Sequence, residues 1–218
     1  MNLWFTMSFV YGKLSYIRLV NLFFYLVYYR FRRIYMSKKF LNTKTMILCS
    51  LFTALIAIGA FIRIPFPVTV FSFQFTFVLL AGVLLGAKRG GLSTLVYVLI
   101  GLVGFPIFTE GGGPQYILKP TFGYLVAFII TAYLVGYFRE KMGTGSFIKL
   151  FLACLLGMAF TYGFGSMYTY FILNYALGTK ISYLACLVSL FPFAFIKDIA
   201  SCALAVFVGQ RLAKYIEL

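Results

Sequence analysis

Of the 218 residues, 63% are hydrophobic and only 11% are charged. Soluble domains average about 45–50% apolar and about 25% charged residues, so this chain lacks the polar side chains to cover a globule, and most of its surface must face lipid. Nineteen Lys and Arg stand against four Asp and Glu, a formal charge of +15; in so apolar a chain this signals loops biased toward one membrane face rather than a nucleic-acid partner. Histidine is absent, which removes the commonest general base and metal ligand. Cys49, Cys154, Cys186 and Cys202 lie far apart in apolar runs and read as small buried hydrophobes rather than a disulfide or metal set. The expected class is an all-α integral membrane protein without a large soluble domain.

In chain order, residues 1–35 come first: no acid, many Tyr and Phe, and the cations Lys13, Arg18, Arg30, Arg32 and Arg33. No small-residue cleavage site follows their apolar stretches, so a secretory signal is a poor fit. Leu14 to Tyr29 could form an interfacial aromatic helix. The preferred reading starts the working protein at Met36, whose MSKKFLNTKT is a basic lead into a first membrane helix. That divides the chain into an N-terminal extension, 1–35, and a membrane domain, 36–218.

A membrane helix needs about 20 mostly apolar residues, because the hydrocarbon core is about 30 Å thick. Six apolar cores are predicted: Thr45 to Phe61, Ser72 to Gly86, Gly91 to Val103, Phe122 to Phe138, Phe147 to Leu177 and Phe195 to Ala213. Several are short, which suggests that some backbone lines an internal cavity instead of lipid. Ile181 to Phe191 is apolar but stops at Pro192 and reads as a half-helix. The fifth core is long enough to tilt, with Gly163 and Gly165 able to bend it. If residues 38–44 are cytoplasmic, Lys38, Lys39, Lys44, Lys88, Arg89, Arg139, Lys141, Lys149, Arg211 and Lys214 all fall inside, and Arg63, Lys119 and Lys180 outside. Ten against three, alternating loop by loop, orients a six-span bundle in the cytoplasmic membrane with both termini cytoplasmic.

The chemistry is narrowed by what is missing. No GxxxxGK[ST] is present, so the chain has no phosphate cradle of that kind. Of the four acids, Glu140 and Glu217 fall in cytoplasmic loops, Glu110 falls in an outer loop, and Asp198 alone is intramembrane. Two-carboxylate catalysis has little to work with, and binding or transport is the better class. No catalytic residue, metal site or cofactor is expected.

Polar residues inside apolar runs are the candidate site, because burying them in lipid costs about 2.5–3.5 kcal/mol on insertion scales. Lys197-Asp198 is either a neutralising pair or places Asp198 in a cavity, accepting hydrogen bonds from a ligand's N–H groups. Gln74, among Phe71, Phe73, Phe75 and Phe77, faces a neighbouring helix or a cavity. Two prolines in RIPFPV enforce an extended connection, where Arg63 either snorkels to headgroups or attracts an anion. The connection from Gly104 to Thr121 contains Gly111, Gly112 and Gly113 between prolines and aromatics. It reads as a lid with Phe105, Phe108 and Gln115 reaching in. Tyr97 and Tyr124 line the same pocket or sit in an interfacial belt. In the first helix, Ser50/Ala54 and Thr53/Ala57 are small residues four apart, a spacing that admits another helix closely.

These pieces resemble a known family. IRIPFPVT, then Gln74 eight residues before Gly82 in QFTFVLLAGVLLG, then YVLIGLVGFPIF followed by GGG, then KPTFGYLVAF, look like BioY, the biotin-binding substrate-specificity (S) subunit of energy-coupling factor (ECF) transporters. The resemblance covers about residues 36–218. It implies a six-helix bundle with a vitamin pocket opening outward and closed by the loop between helices three and four. The partners it implies are a membrane coupling subunit, met by Ser50 and Ala54, and two cytoplasmic ATPases that supply the energy. For the ligand it implies that Asp198 receives ureido N–H, that Gln74 or Gln115 serves the ureido or the tail, and that a cation meets the carboxylate. The chain departs from the family at Ser201, where a lysine is usual one turn after the aspartate, leaving Lys197 as the nearby cation. Lys119 and Phe122 stand where glycines are usual. The rival readings are an S component for another vitamin or a biotin precursor, and an independent secondary carrier.

Overall fold

The computed structural model describes residues 43–65, 70–179, 181–188, 193–213 and 215. The N-terminal extension and the proposed start at Met36 lie outside these residues. The chain divides into two compact units, Met1–Met46 and Ile47–Leu218. Only the opening residues of the first helix are described in the former, and the account below concerns the latter.

Helix α1 spans Thr43–Phe61. It ends where the proline-rich segment begins, since proline has no amide proton and disfavours helix at the residue before it. The chain then forms a two-stranded antiparallel hairpin, β1 Arg63–Pro65 with β2 Val70–Ser72, in which Arg63 faces Ser72. The extended conformation is the predicted one; the strand pairing adds a small sheet to a fold predicted to be purely helical. Helix α2 follows at Gln74–Leu85, α3 at Ala87–Val103, α4 at Phe122–Met142 and α5 at Phe147–Phe171. Helix α6, Tyr183–Val188, is the described part of the predicted half-helix, and α7 is Phe193–Ala213.

Three helical stretches, Thr43–Phe61, Phe122–Met142 and Phe147–Ala176, are long and apolar enough to cross a membrane. Helix α2 is apolar but has only 12 residues, about 18 Å at about 1.5 Å per residue. Its position explains this. Every residue of α2 except Phe77 is buried, and it packs against α3, α4 and α7. A helix apolar on all faces belongs in the interior, and one that meets protein all round need not match the bilayer's thickness. Helix α4 also packs on α3 and α5, and α5 on α7. Between such helices in lipid the attraction comes from close packing more than from hydrophobic transfer, and small side chains make it possible. Thr131 on α4 bonds both the Gly157 carbonyl (3.0 Å) and Thr161 (2.7 Å) on α5.

Two sequence-based expectations are corrected. Lys88 and Arg89 are not in a loop: one residue, Gly86, joins α2 to α3, and both cations lie in the first turn of α3. Gly86 has φ +82°, a conformation that a side chain resists. Glu140 is also not in a loop. It lies in α4, and its Oε1 accepts a 2.8 Å hydrogen bond from the Ala87 amide, placing a carboxylate at the N-terminus of α3 where unpaired amides favour an anion. A Cβ on Gly136 would strike the backbone of Gly86 and Ala87, so α4 seats directly against this turn. Helix α5 runs unbroken through Gly163 and Gly165, and a π-helical turn follows it at Ile172–Ala176.

Candidate functional site

The proline-rich hairpin delivers the chain to Gln74 at the first turn of α2. Gln74 is 2% exposed, and its Nε2 has no hydrogen-bond partner among the described residues. Burying an amide donor without an acceptor costs about 1–3 kcal/mol, so an orphan here asks for a ligand or a water. Glycine at position 59 lets α1 reach this point: a Cβ there would fall 3.0 Å from the Gln74 backbone.

The N-terminal half of α7 faces the same end of the bundle. Lys197 Nζ donates to the Ser72 carbonyl at 2.9 Å, two residues before Gln74, and lies 2.6 Å from Asp198 Oδ1. Successive helix positions diverge by about 100°, so the lysine must fold back over its neighbour, and the tie to Ser72 holds it there. Asp198 is 7% exposed. Its Oδ2 accepts a 2.7 Å hydrogen bond from the Tyr162 hydroxyl on α5. Its Oδ1 has the lysine's charge beside it, but the approach is not aligned as a hydrogen bond, and Oδ1 has no such partner among the described residues. The carboxylate is therefore neutralised on one side, anchored on the other, and still able to accept. One turn on, Ser201 Oγ accepts from Thr76 Oγ1 at 2.8 Å, clamping α7 to α2 immediately below Gln74.

The remaining predicted residues lie in the connection between α3 and α4 (Phe105, Phe108, Gln115) or on those two helices (Tyr97, Tyr124). The connection is more ordered than a plain lid loop, with a 3₁₀ turn at Pro114–Leu118 and a bridge between Phe108 and Gly111. Phe108 turns inward and fills the space over Gly101. It packs edge-on to Tyr97 (centroids 5.5 Å apart) and against Tyr116 (4.6 Å). Tyr97 is fully buried, and its hydroxyl donates to the Ile107 carbonyl at 2.9 Å. Phe105, by contrast, is 60% exposed. Gln115 is exposed too, its Nε2 folded back onto the Gly112 carbonyl at 2.9 Å. Neither reaches inward: the turn that buries Phe108 leaves Phe105 outside, and Gln115 satisfies its own loop. Tyr124 is half-buried on α4 with its ring against Gly165 of α5, three residues beyond Tyr162.

Carbonyls in an irregular segment lack the ladder partners of helix or sheet, and side chains supply donors. Arg63 donates to the Thr109 carbonyl, Tyr168 to Ile117, and Thr169 to Pro120 at 3.0 Å. Lys119 pairs with Glu110 at 3.0 Å, both about 38% exposed, an exposure at which such a pair is worth little. Arg63, read from sequence as a headgroup or anion contact, here also bonds within the protein. Tyr162, Thr76, Tyr168 and Thr169 were not singled out by sequence. Nothing distinguishes Tyr162 among 17 tyrosines until the fold sets it opposite Asp198.

The two small-residue pairs of α1 separate. Thr53 is buried, its hydroxyl bonded to the Cys49 and Ser93 carbonyls (2.8 and 2.9 Å), so Thr53/Ala57 faces α3 within the bundle. Ser50 and Ala54 lie on the exposed face with Ile47, Leu51, Ile58 and Phe61.

The residues thus assemble an apolar helical bundle that buries an acid and an amide, the amide donor having no partner among the described residues. The sequence pattern of the BioY family matches residues 36–217. The chain shares 38% identity over 173 residues with the "Probable biotin transporter BioY" of Lysinibacillus sphaericus, covering 79% of this chain and 88% of that one. It shares 38% over 133 residues with the "Biotin transporter BioY" of Thermotoga maritima, 61% of this chain and 75% of that one. A crystal structure described as the S-component for biotin from an ECF-type ABC transporter matches with TM-score 0.69 and 29% identity, over 82% of this chain and 95% of that one. The chain belongs to the BioY family of membrane transport proteins.

Proposed function

We propose that this chain is the S component of an ECF transporter, that it binds biotin from the outside of the cytoplasmic membrane, and that it delivers it inward using ATP hydrolysed by partner subunits. The observation that carries the reading is the pair of buried atoms with no hydrogen-bond partner among the described residues, the Gln74 Nε2 donor and the Asp198 Oδ1 acceptor, the latter with the Lys197 ammonium beside it. A cyclic urea offers an N–H to one and a C=O to the other, and an aromatic, mostly apolar surround suits biotin's fused ring and flexible tail. Lys197, close to Asp198 and 26% exposed, is the cation nearest to receive the tail carboxylate. Tyr97 and Phe108 serve by anchoring the connection over the site, and Tyr124 by lining the α4–α5 side.

The membrane orientation rests on the charge count, which puts six spans with both termini inside. The working chain begins at Met36. Ser50 and Ala54, on the exposed face of α1, provide the close-packing surface for the coupling subunit, and two cytoplasmic ATPases complete the assembly. The chain itself supplies binding and no catalysis.

Equilibrium binding of radiolabelled biotin to the purified full chain tests this. Saturable sub-micromolar binding, displaced by excess unlabelled biotin, is the expected result. Absent biotin binding with saturable uptake of another vitamin would transfer the reading to that ligand. Uptake in cells lacking every ATPase partner would instead make the chain an independent carrier.

A further inference from the structure

The Asp198 carboxylate has two unequal oxygens, and the difference originates on another helix. Oδ2 is taken by the Tyr162 hydroxyl at 2.7 Å. Oδ1 has the Lys197 ammonium 2.6 Å away yet no aligned hydrogen bond among the described residues. A carboxylate turns easily about its terminal torsion, which is broad and roughly two-fold, and Lys197 alone would draw either oxygen. Tyr162 removes that freedom. The phenol is itself braced, since its ring meets Phe195 edge-on with centroids 6.4 Å apart and planes at 78°. Phe195 lies on α7 three residues before Asp198, so ring and acid sit on the same face of that helix. On the other side of the acid, Thr76 and Ser201 join α7 to α2, fixing the helix that carries it.

The geometry points to Tyr162 as a positioning residue for ligand binding: by occupying Oδ2 it presents Oδ1 of Asp198 as the acceptor for a ligand N–H. This rests on the biotin reading above and deepens it. Tyr162 does not touch the ligand in this account; it acts through the acid. A phenol donating to a carboxylate is a charge-assisted hydrogen bond, shorter and about twice as strong as a neutral one, so it is suited to hold an orientation.

The test is a double-mutant cycle on the full chain, with biotin affinity and thermal unfolding measured for wild type, Y162F, D198N and the double variant. Phenylalanine keeps the ring and its contact with Phe195 and removes only the donor. Y162F is expected to weaken binding about tenfold, within the range for a hydrogen bond to a charged group. In the D198N background, where Tyr162 holds the amide only through a neutral hydrogen bond, the same change is expected to cost clearly less than in wild type, so the two effects combine less than multiplicatively. Unchanged affinity in Y162F, or effects that multiply in the double variant, would overturn the assignment. A Y162F chain that no longer folds would overturn it too, by making the tyrosine a framework residue. Failure of the wild-type chain to bind biotin would be a different outcome, sinking the functional reading and this inference with it.

Discussion

Asp198→Asn is the substitution whose consequence the structure sets most tightly. The asparagine is isosteric and can keep both contacts by turning its NH2 toward Tyr162, whose hydroxyl then accepts instead of donating. Its carbonyl would remain on the Lys197 side, where Oδ1 now sits 2.6 Å from the ammonium. Shape and acceptor survive; the negative charge does not. A ligand N–H that met a carboxylate now meets an amide. Hydrogen bonds to charged groups are worth about 1.5–3 kcal/mol and neutral ones about 0.5–1.5, so the loss should be about 1–1.5 kcal/mol, or about 5- to 13-fold in Kd. Lys197, 26% exposed and bonded to the Ser72 carbonyl, keeps a partner, so the fold should survive. Titration of biotin into purified wild type and variant, with a thermal melt of each, reads both quantities. A variant that binds as tightly as wild type would refute the reasoning, making the acid only the lysine's neutralising partner.

Ala54→Leu should leave biotin affinity unchanged and abolish ATP-driven uptake, because the added side chain stands on the exposed face where a partner helix must approach closely; binding and uptake assays on one preparation check it. Tyr168→Phe removes the donor to the Ile117 carbonyl and should speed biotin release severalfold, for a lost bond of about 0.5–1.5 kcal/mol, as measured by the dissociation rate of labelled ligand. Glu140→Gln should lower thermal stability by about 0.3–1 kcal/mol, the usual scale for a charge at a helix N-terminus, with affinity unaltered.

Helices α1, α4, α5 and α7 were legible because their apolar runs are long, and the end of α1 because the prolines after it cannot continue a helix. The first turn of α3 was not. Lys88 and Arg89 look like a loop by charge alone, yet one glycine at positive φ suffices to reverse the chain, and Glu140, 53 residues away, caps the new helix. Asp198 stood out as the one acid in an apolar run, and Gln74 as an amide among phenylalanines; the structure places both at the same end of the bundle. Phe105 and Phe108 could not be told apart, since an irregular segment has no period to say which ring turns in. The bonds from Tyr162 to Asp198 and from Thr76 to Ser201 were invisible: they join residues 36 and 125 positions apart, and such contacts exist only once helices are assembled.

The base rung of the hairpin carries more than its size suggests. Arg63 and Ser72 face each other across it; the first grips the connection over the site through Thr109, and the second is gripped by Lys197. The roof and the final helix thus hang from a single crossbar. The segment before α4 and the start of α7 are tied to the same rung of backbone, so a change that disorders this rung is expected to loosen both at once.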